Sequence, residues 1–124
     1  VLEGVAFNAR WLLHYAERFI RQPFAAVNLA GGGARSELWC QIFADVFDRR
    51  IHQIDEPLQV NTRGAGLLGA AGLGYITTEE IGRRVPIRRS YDPNPTNRTL
   101  YDERFARFLE LYKQNRKLYA KLNG

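Results

Sequence analysis

Methionine is missing from all 124 residues, and cysteine occurs once, at Cys40. A single cysteine excludes a disulfide within the chain and any zinc site built on cysteines. His14 and His52 are the only histidines, so a histidine-based metal cluster has little to draw on and no metal ligands are assigned. Set among Trp39, Ile42 and Phe43, Cys40 reads as a plain buried thiol. Long apolar runs are also lacking. The best stretch, Gly64 to Ile76, falls short of the ~20 residues that span a bilayer and is rich in glycine and alanine. No basic segment followed by an apolar run marks a leader at the N-terminus. Together these absences predict a cytoplasmic protein that does not enter a membrane. A methionine-free chain that opens in mid-pattern, on "VLEGVAF", reads as a piece of a longer protein.

The composition is 45% hydrophobic and 25% charged, a balance that suits one compact domain with a modest core. The net charge is +5, and the excess gathers late in the chain. Four arginines fall between Arg83 and Arg89, and Arg98 to Lys121 holds seven basic residues against three acidic. Such a tilt can mark a nucleic-acid surface. The acidic residues interleaved with the basic ones, and the lack of an aromatic–basic RNA motif, favour a solvated helix face and no nucleic-acid partner.

Apolar residues at Val5, Leu12, Leu13, Ala16, Phe19 and Ile20 recur at helical spacing and predict a helix from Glu3 to Gln22, closed by Pro23. Phe24 to Ala30 is nearly all apolar, as in a central strand covered on both faces. After Gly31, Gly32 and Gly33, Ser36 can cap a helix reaching Phe47, with Leu38, Trp39, Ile42, Phe43 and Val46 on one stripe. Arg50 to Asp55 reads as a second strand ended by Pro57. Asn61 or Thr62 can cap a further helix, "RGAGLLGAAGLGYI". Residues 82–98, with three prolines among polar residues, read as a long surface connection. A final helix from Thr99 to Leu122 carries Tyr101, Phe105, Phe108, Tyr112 and Tyr119 on one side, as a docking surface would. The order α–β–α–β–α–α predicts an α/β fold with parallel neighbours. Two strands make a poor sheet, so further strands are expected upstream of Val1.

The central question is what three consecutive glycines do between a strand and a helix. Glycine permits positive φ and close approach of a ligand to the main chain. At such a junction free N–H groups can meet a phosphate or another polar part of a nucleotide. A Walker A loop is excluded, because "GGGARS" lacks the terminal Gly-Lys-Ser or Gly-Lys-Thr. The dinucleotide fingerprint fits better: Gly31 and Gly33 fill its first two positions, and Asp55 ends the next strand where an acid would meet a ribose. Ser36 replaces its third glycine. The second glycine-rich segment adds a feature that a dinucleotide unit does not call for. Gly66 and Gly69 each cost a helix about 1 kcal/mol relative to alanine, so close packing or a ligand is expected there.

Taken together, "LEGVAF", "GGGARSELWCQIFADVF", "RGAGLLGAAGLGY" and "YDERFARFLELY" resemble the C-terminal part of the FGGY carbohydrate kinases. The four blocks match in order and cover almost the whole chain. The second block is the most specific and is similar to the xylulose-kinase-like branch. Where the family usually reads Gly-Ala-Ala at the start of the glycine helix, this chain has Gly64-Ala65-Gly66.

The resemblance implies an actin-like ATPase fold, in which two ribonuclease-H-like domains hold ATP between them. Residues 1–124 would be the later part of the second domain, cut at its N-terminal side. Gly32, Gly33 and Ala34 match the loop that lies against the nucleotide. Ser36 and Glu37 match the first helical turn near the adenine, where some relatives have asparagine in place of Glu37. Gly64 and Ala65 would support the adenosine pocket. The implied reaction passes the γ-phosphoryl group of ATP, with Mg2+, to a hydroxyl of a pentulose or related sugar. The resemblance places the catalytic carboxylate and the sugar- and magnesium-binding residues upstream of Val1. Asp45, Asp48 and Asp55 are therefore not assigned as the base, and the piece alone is expected to be inactive. The alternatives are a dinucleotide-binding module and a basic nucleic-acid or partner-docking module. Exposed aromatics and an open sheet edge would permit a homodimer.

Overall fold

The computed structural model describes residues 1–123. Helix α1 (Leu2–Ile20) turns Ala6 and Phe7 into the core, with Leu13 against it, while Val5, Leu12, Phe19 and Ile20 of the expected stripe lie exposed. It stops before Pro23, because Arg21 takes left-handed backbone (φ 57°) and its N–H meets the Glu17 carbonyl. Strand β1 (Ala26–Leu29), a 3-10 turn at Gly32–Arg35, helix α2 (Glu37–Phe47) and strand β2 (Arg50–Ile54) follow. β1 and β2 pair in parallel, as the β–α–β order predicts. Ser36 caps α2 as expected: its Oγ accepts the Trp39 N–H at 3.3 Å. α2 buries Cys40, Phe43, Ala44, Val46 and Phe47 and packs on α1, β2 and α5.

The sheet and its connections depart from the sequence reading in three places. Strand β3 (Ile87–Tyr91) lies inside the stretch expected to be a surface connection and pairs antiparallel with β2. Only Tyr91 of its residues is buried, so backbone pairing holds the strand and no apolar pattern announces it. With the order β1-β2-β3, β2 is central and β1 is a half-buried edge strand, not one covered on both faces. The helix after β2 begins earlier than its expected caps. A turn in which the Gln59 N–H meets the Glu56 carbonyl at 2.9 Å leads directly into α3 (Val60–Gly72), leaving Asn61 and Thr62 inside its first turn. α3 ends before Ile76 because Gly74 takes φ 78°. A separate helix, α4 (Thr78–Arg83), then starts where the Glu80 carboxylate accepts the Thr77 N–H at 2.8 Å.

The last helix, α5 (Arg98–Asn123), lays its aromatic stripe against α1. Phe7 meets Tyr101 at 6.1 Å and Phe108 at 5.9 Å between ring centroids, and Trp11 meets Tyr112 edge-on at 4.8 Å. Each such pair adds about 0.5–1.5 kcal/mol beyond burial. The Arg10 guanidinium covers Phe105 at 4.4 Å and bonds Asp102 at 2.6 Å. The stripe is thus an internal seam over Tyr101, Phe105 and Phe108, while Tyr112 and Tyr119 farther along are 40% and 46% exposed. Much of the late basic charge is paired: Arg89 with Glu37, Arg98 with Asp48 and Asp102, Arg104 with Glu3, and Arg107 with Glu110.

Candidate functional site

The parallel strands β1 and β2 end at the same edge of the sheet, and the glycine loop leaves from there. This is where ligands of α/β proteins generally sit. The three glycines are there for different reasons. Gly31 has φ 85° and ψ −174°, a region that side chains essentially do not enter. Its N–H bonds the Pro57 carbonyl at 2.9 Å and ties the loop to the segment after β2. Gly33 lies under Trp39, and a Cβ there would run into the indole ring. Gly32 has no positive φ, and a Cβ built on it would meet nothing within 4 Å. Its N–H makes no bond to another backbone group in the loop. Neither backbone geometry nor any neighbour among the described residues requires glycine at position 32.

Ala34 is fully buried, and its carbonyl points inward. Gln53 Nε2 donates to that oxygen at 2.6 Å, and the Cys40 thiol approaches it at 3.7 Å. Burial, opposed by a backbone hydrogen bond and reinforced by the charge of Glu37, pushes the Cys40 thiol up. It is the protonated buried thiol that the sequence predicts. The Ser36 hydroxyl oxygen is occupied as the cap of α2. Glu37 is exposed and paired with Arg89 of β3 at 2.8 Å.

Gly32, Gly33, Ala34, Ser36 and Glu37 therefore form one continuous loop and helix start. Gly64 and Ala65 lie apart from them on α3, which buries none of its residues and packs chiefly on α4. A Cβ at Gly64, Gly66, Gly69 or Gly72 would meet nothing within 4 Å, so the described residues supply no close packing partner for these glycines. Beside the loop is a cavity of about 430 Å³ lined by Arg35, Glu56, Pro57, Leu58 and Arg88. Asp55 contributes backbone ties: its N–H meets the Pro86 carbonyl and its carbonyl accepts from Arg63, both at 2.9 Å. Among the described residues no group of three or more His, Cys, Asp and Glu side chains is placed to hold a metal ion. No helix of the described residues is long and apolar enough to cross a membrane.

Three residues around the loop escaped the sequence reading: Gln53, Tyr91 and Arg89. The last two belong to β3, which was not foreseen. Gln53 carried a usable signal. It is a polar residue at the strand position that shares a face with buried Ile51, where an apolar side chain is expected.

Residues 1–78 match the FGGY family of carbohydrate kinases, C-terminal domain. The chain belongs to this family. Among curated FGGY relatives, a xylulose kinase of Staphylococcus epidermidis is 28% identical over 98% of this chain, and an autoinducer-2 kinase of Enterobacter sp. is 30% identical over 89% of it. The alignments use 25% and 21% of those proteins, so the chain spans about a quarter of the length of the relatives it matches. The crystal structure of the gluconate kinase from Lactobacillus acidophilus superposes on 99% of the chain, and on 25% of its own length, with a TM-score of 0.81 at 28% identity. The architecture is accordingly part of the actin-like ATPase fold of FGGY kinases.

Proposed function

We propose that this chain forms one wall of the ATP site of a sugar kinase that passes the γ-phosphoryl group of ATP to a hydroxyl of a pentulose or related carbohydrate. The observation that carries the reading is Gly32, a bare position at the carboxyl edge of two parallel strands that nothing among the described residues accounts for. A nucleotide lying against the main chain there explains it. In this reading Gly32 and Gly33 offer the contact surface, Ala34 fixes the shape of the loop, and Ser36 and Glu37 border the adenine. Gly64 and Ala65 close the adenosine side from α3, whose unfilled glycine face supports a ligand or second wall at that surface.

When bound, ATP with Mg2+ supplies the phosphoryl group, and catalysis of this kind rests on positioning and charge neutralisation. The residues of this chain would bind and orient the nucleotide. The carboxylate base, the magnesium ligands and the sugar pocket would come from other parts of a longer protein, which would be cytoplasmic. The names of the relatives make xylulose the first acceptor to try. A dinucleotide module is the second reading, favoured only by the β1–α2–β2 unit with Asp55 at its end. The internal pairing of Arg89, Arg98, Arg104 and Arg107 with carboxylates speaks against a nucleic-acid role.

Calorimetric titration of the protein from the full reading frame with ATP, ADP and NAD separates the readings. ATP and ADP are expected to bind and NAD not. Gly32→Ala should weaken ATP by about tenfold, the equivalent of ~1.4 kcal/mol, without changing the denaturation midpoint. Tight NAD binding with no ATP binding would overturn the proposal.

A further inference from the structure

We propose that the buried pair Gln53 and Tyr91 positions the nucleotide loop from behind, so that β2 and β3 set the orientation of the Gly32–Ala34 peptides. The inference rests on the ATP-site reading and adds to it residues that the loop sequence does not contain. Gln53 is 2% exposed and Tyr91 6%. The Tyr91 hydroxyl donates to Gln53 Oε1 at 3.1 Å, and Gln53 Nε2 donates to the Ala34 carbonyl at 2.6 Å. The chain of bonds has one direction. A backbone carbonyl can only accept, so the amide nitrogen must face Ala34, and the amide oxygen left over requires a donor, which the phenol supplies.

The loop is consequently fastened at two points. On one side the Gly31 N–H holds the Pro57 carbonyl; on the other the Ala34 carbonyl is held by Gln53 and approached by Cys40. Gly32 and Gly33 lie between these anchors. Rotating the Ala34 peptide would strand a buried carbonyl and the buried Gln53 amide N–H, which the Tyr91 hydroxyl holds in place through Oε1, so the direction of the neighbouring peptides is fixed before a ligand arrives. β3 adds a second support through Arg89, which holds Glu37 at the start of α2 at 2.8 Å. Gln53 is covered by the loop and acts through Ala34, which makes it a positioning residue.

The test uses the protein from the full reading frame and two volume-conserving variants, Gln53→Met and Tyr91→Phe, alone and combined. The affinity for ATP is read by calorimetry. The KM for the acceptor is read with whichever of D-xylulose and D-gluconate is turned over. Gln53→Met is expected to weaken ATP about tenfold and Tyr91→Phe about threefold, while kcat and the acceptor KM stay within about twofold. The double variant should be no weaker than Gln53→Met, because both changes break one chain of bonds. Unchanged ATP affinity in both variants, or equal weakening of ATP and acceptor, would overturn the inference, as would failure of both variants to fold. A wild-type protein that does not bind ATP would remove the kinase reading and this inference together. Normal ATP binding by wild type and variants alike would remove the inference alone.

Discussion

Gly33→Ala is expected to lower the unfolding free energy by about 2 to 3 kcal/mol, at the upper end of what a single added carbon costs in a packed site. The cause is Trp39. Its ring lies where the new Cβ would have to be. The indole is not free to yield: it packs on Phe43 at 5.6 Å between centroids, and its Nε1 donates to the Leu2 carbonyl at 3.4 Å. Moving it would loosen the junction between α1 and α2 as well as the loop. Trp39→Leu in the same background should recover part of the loss, and Trp39 fluorescence should shift in the Gly33→Ala protein. Gly32→Ala, one residue away, should leave stability unchanged. A Gly33→Ala protein as stable as wild type in a denaturant titration would mean that Trp39 does not hold this position. The glycine would then need another explanation.

Asp45→Ala is expected to cost about 3 kcal/mol, because it strands several donors that a charged acceptor had satisfied. Asp45 is 6% exposed. Its Oδ1 accepts from Gln41 Nε2 and from the Asn94 N–H, both at 2.8 Å, and its Oδ2 accepts from Asn97 Nδ2 at 2.8 Å. Those contacts fasten α2 to the turn that carries the chain from β3 into α5. Gln41 Nε2 reaches the Asp92 carbonyl as well, at 2.9 Å. Asp45→Asn keeps an acceptor oxygen and should cost about half as much. The same substitution distinguishes a structural acid from a catalytic one. In the full-length protein Asp45→Asn should leave kcat within about twofold, whereas loss of a general base would remove at least the ~100-fold that such a group contributes.

How much of this was legible in the sequence depends on which force made each element. α2 and α5 are held by apolar stripes whose spacing could be read directly from Phe43 or Phe105, whereas for α1 the spacing gave the helix but not its face: Val5, Leu12, Phe19 and Ile20 are exposed and Ala6 and Phe7 are buried. β1 and the glycine loop were legible because an apolar run ending in three glycines has few other uses. β3 was not, because its pairing with β2 is a backbone matter and four of its five side chains are exposed. α4 was also missed, although Thr77 and Glu80 stand at the spacing of a capping box and could have marked it. At the candidate site the glycines were found but their reasons were merged. Backbone conformation explains Gly31 and Trp39 explains Gly33, which leaves Gly32 as the informative one. The supports beneath the loop were hidden because Gln53, Tyr91 and Ala34 are brought together only by the sheet.

The measurement that tests the central claim most directly is ATP-dependent phosphorylation of D-xylulose by the protein from the full reading frame, followed as acceptor-dependent ADP release. The account predicts ADP formation that requires both Mg2+ and a sugar acceptor, with D-gluconate and other small polyols tried in parallel to find the preferred one. A folded, full-length protein that binds no ATP and releases no ADP with any of these acceptors would contradict it.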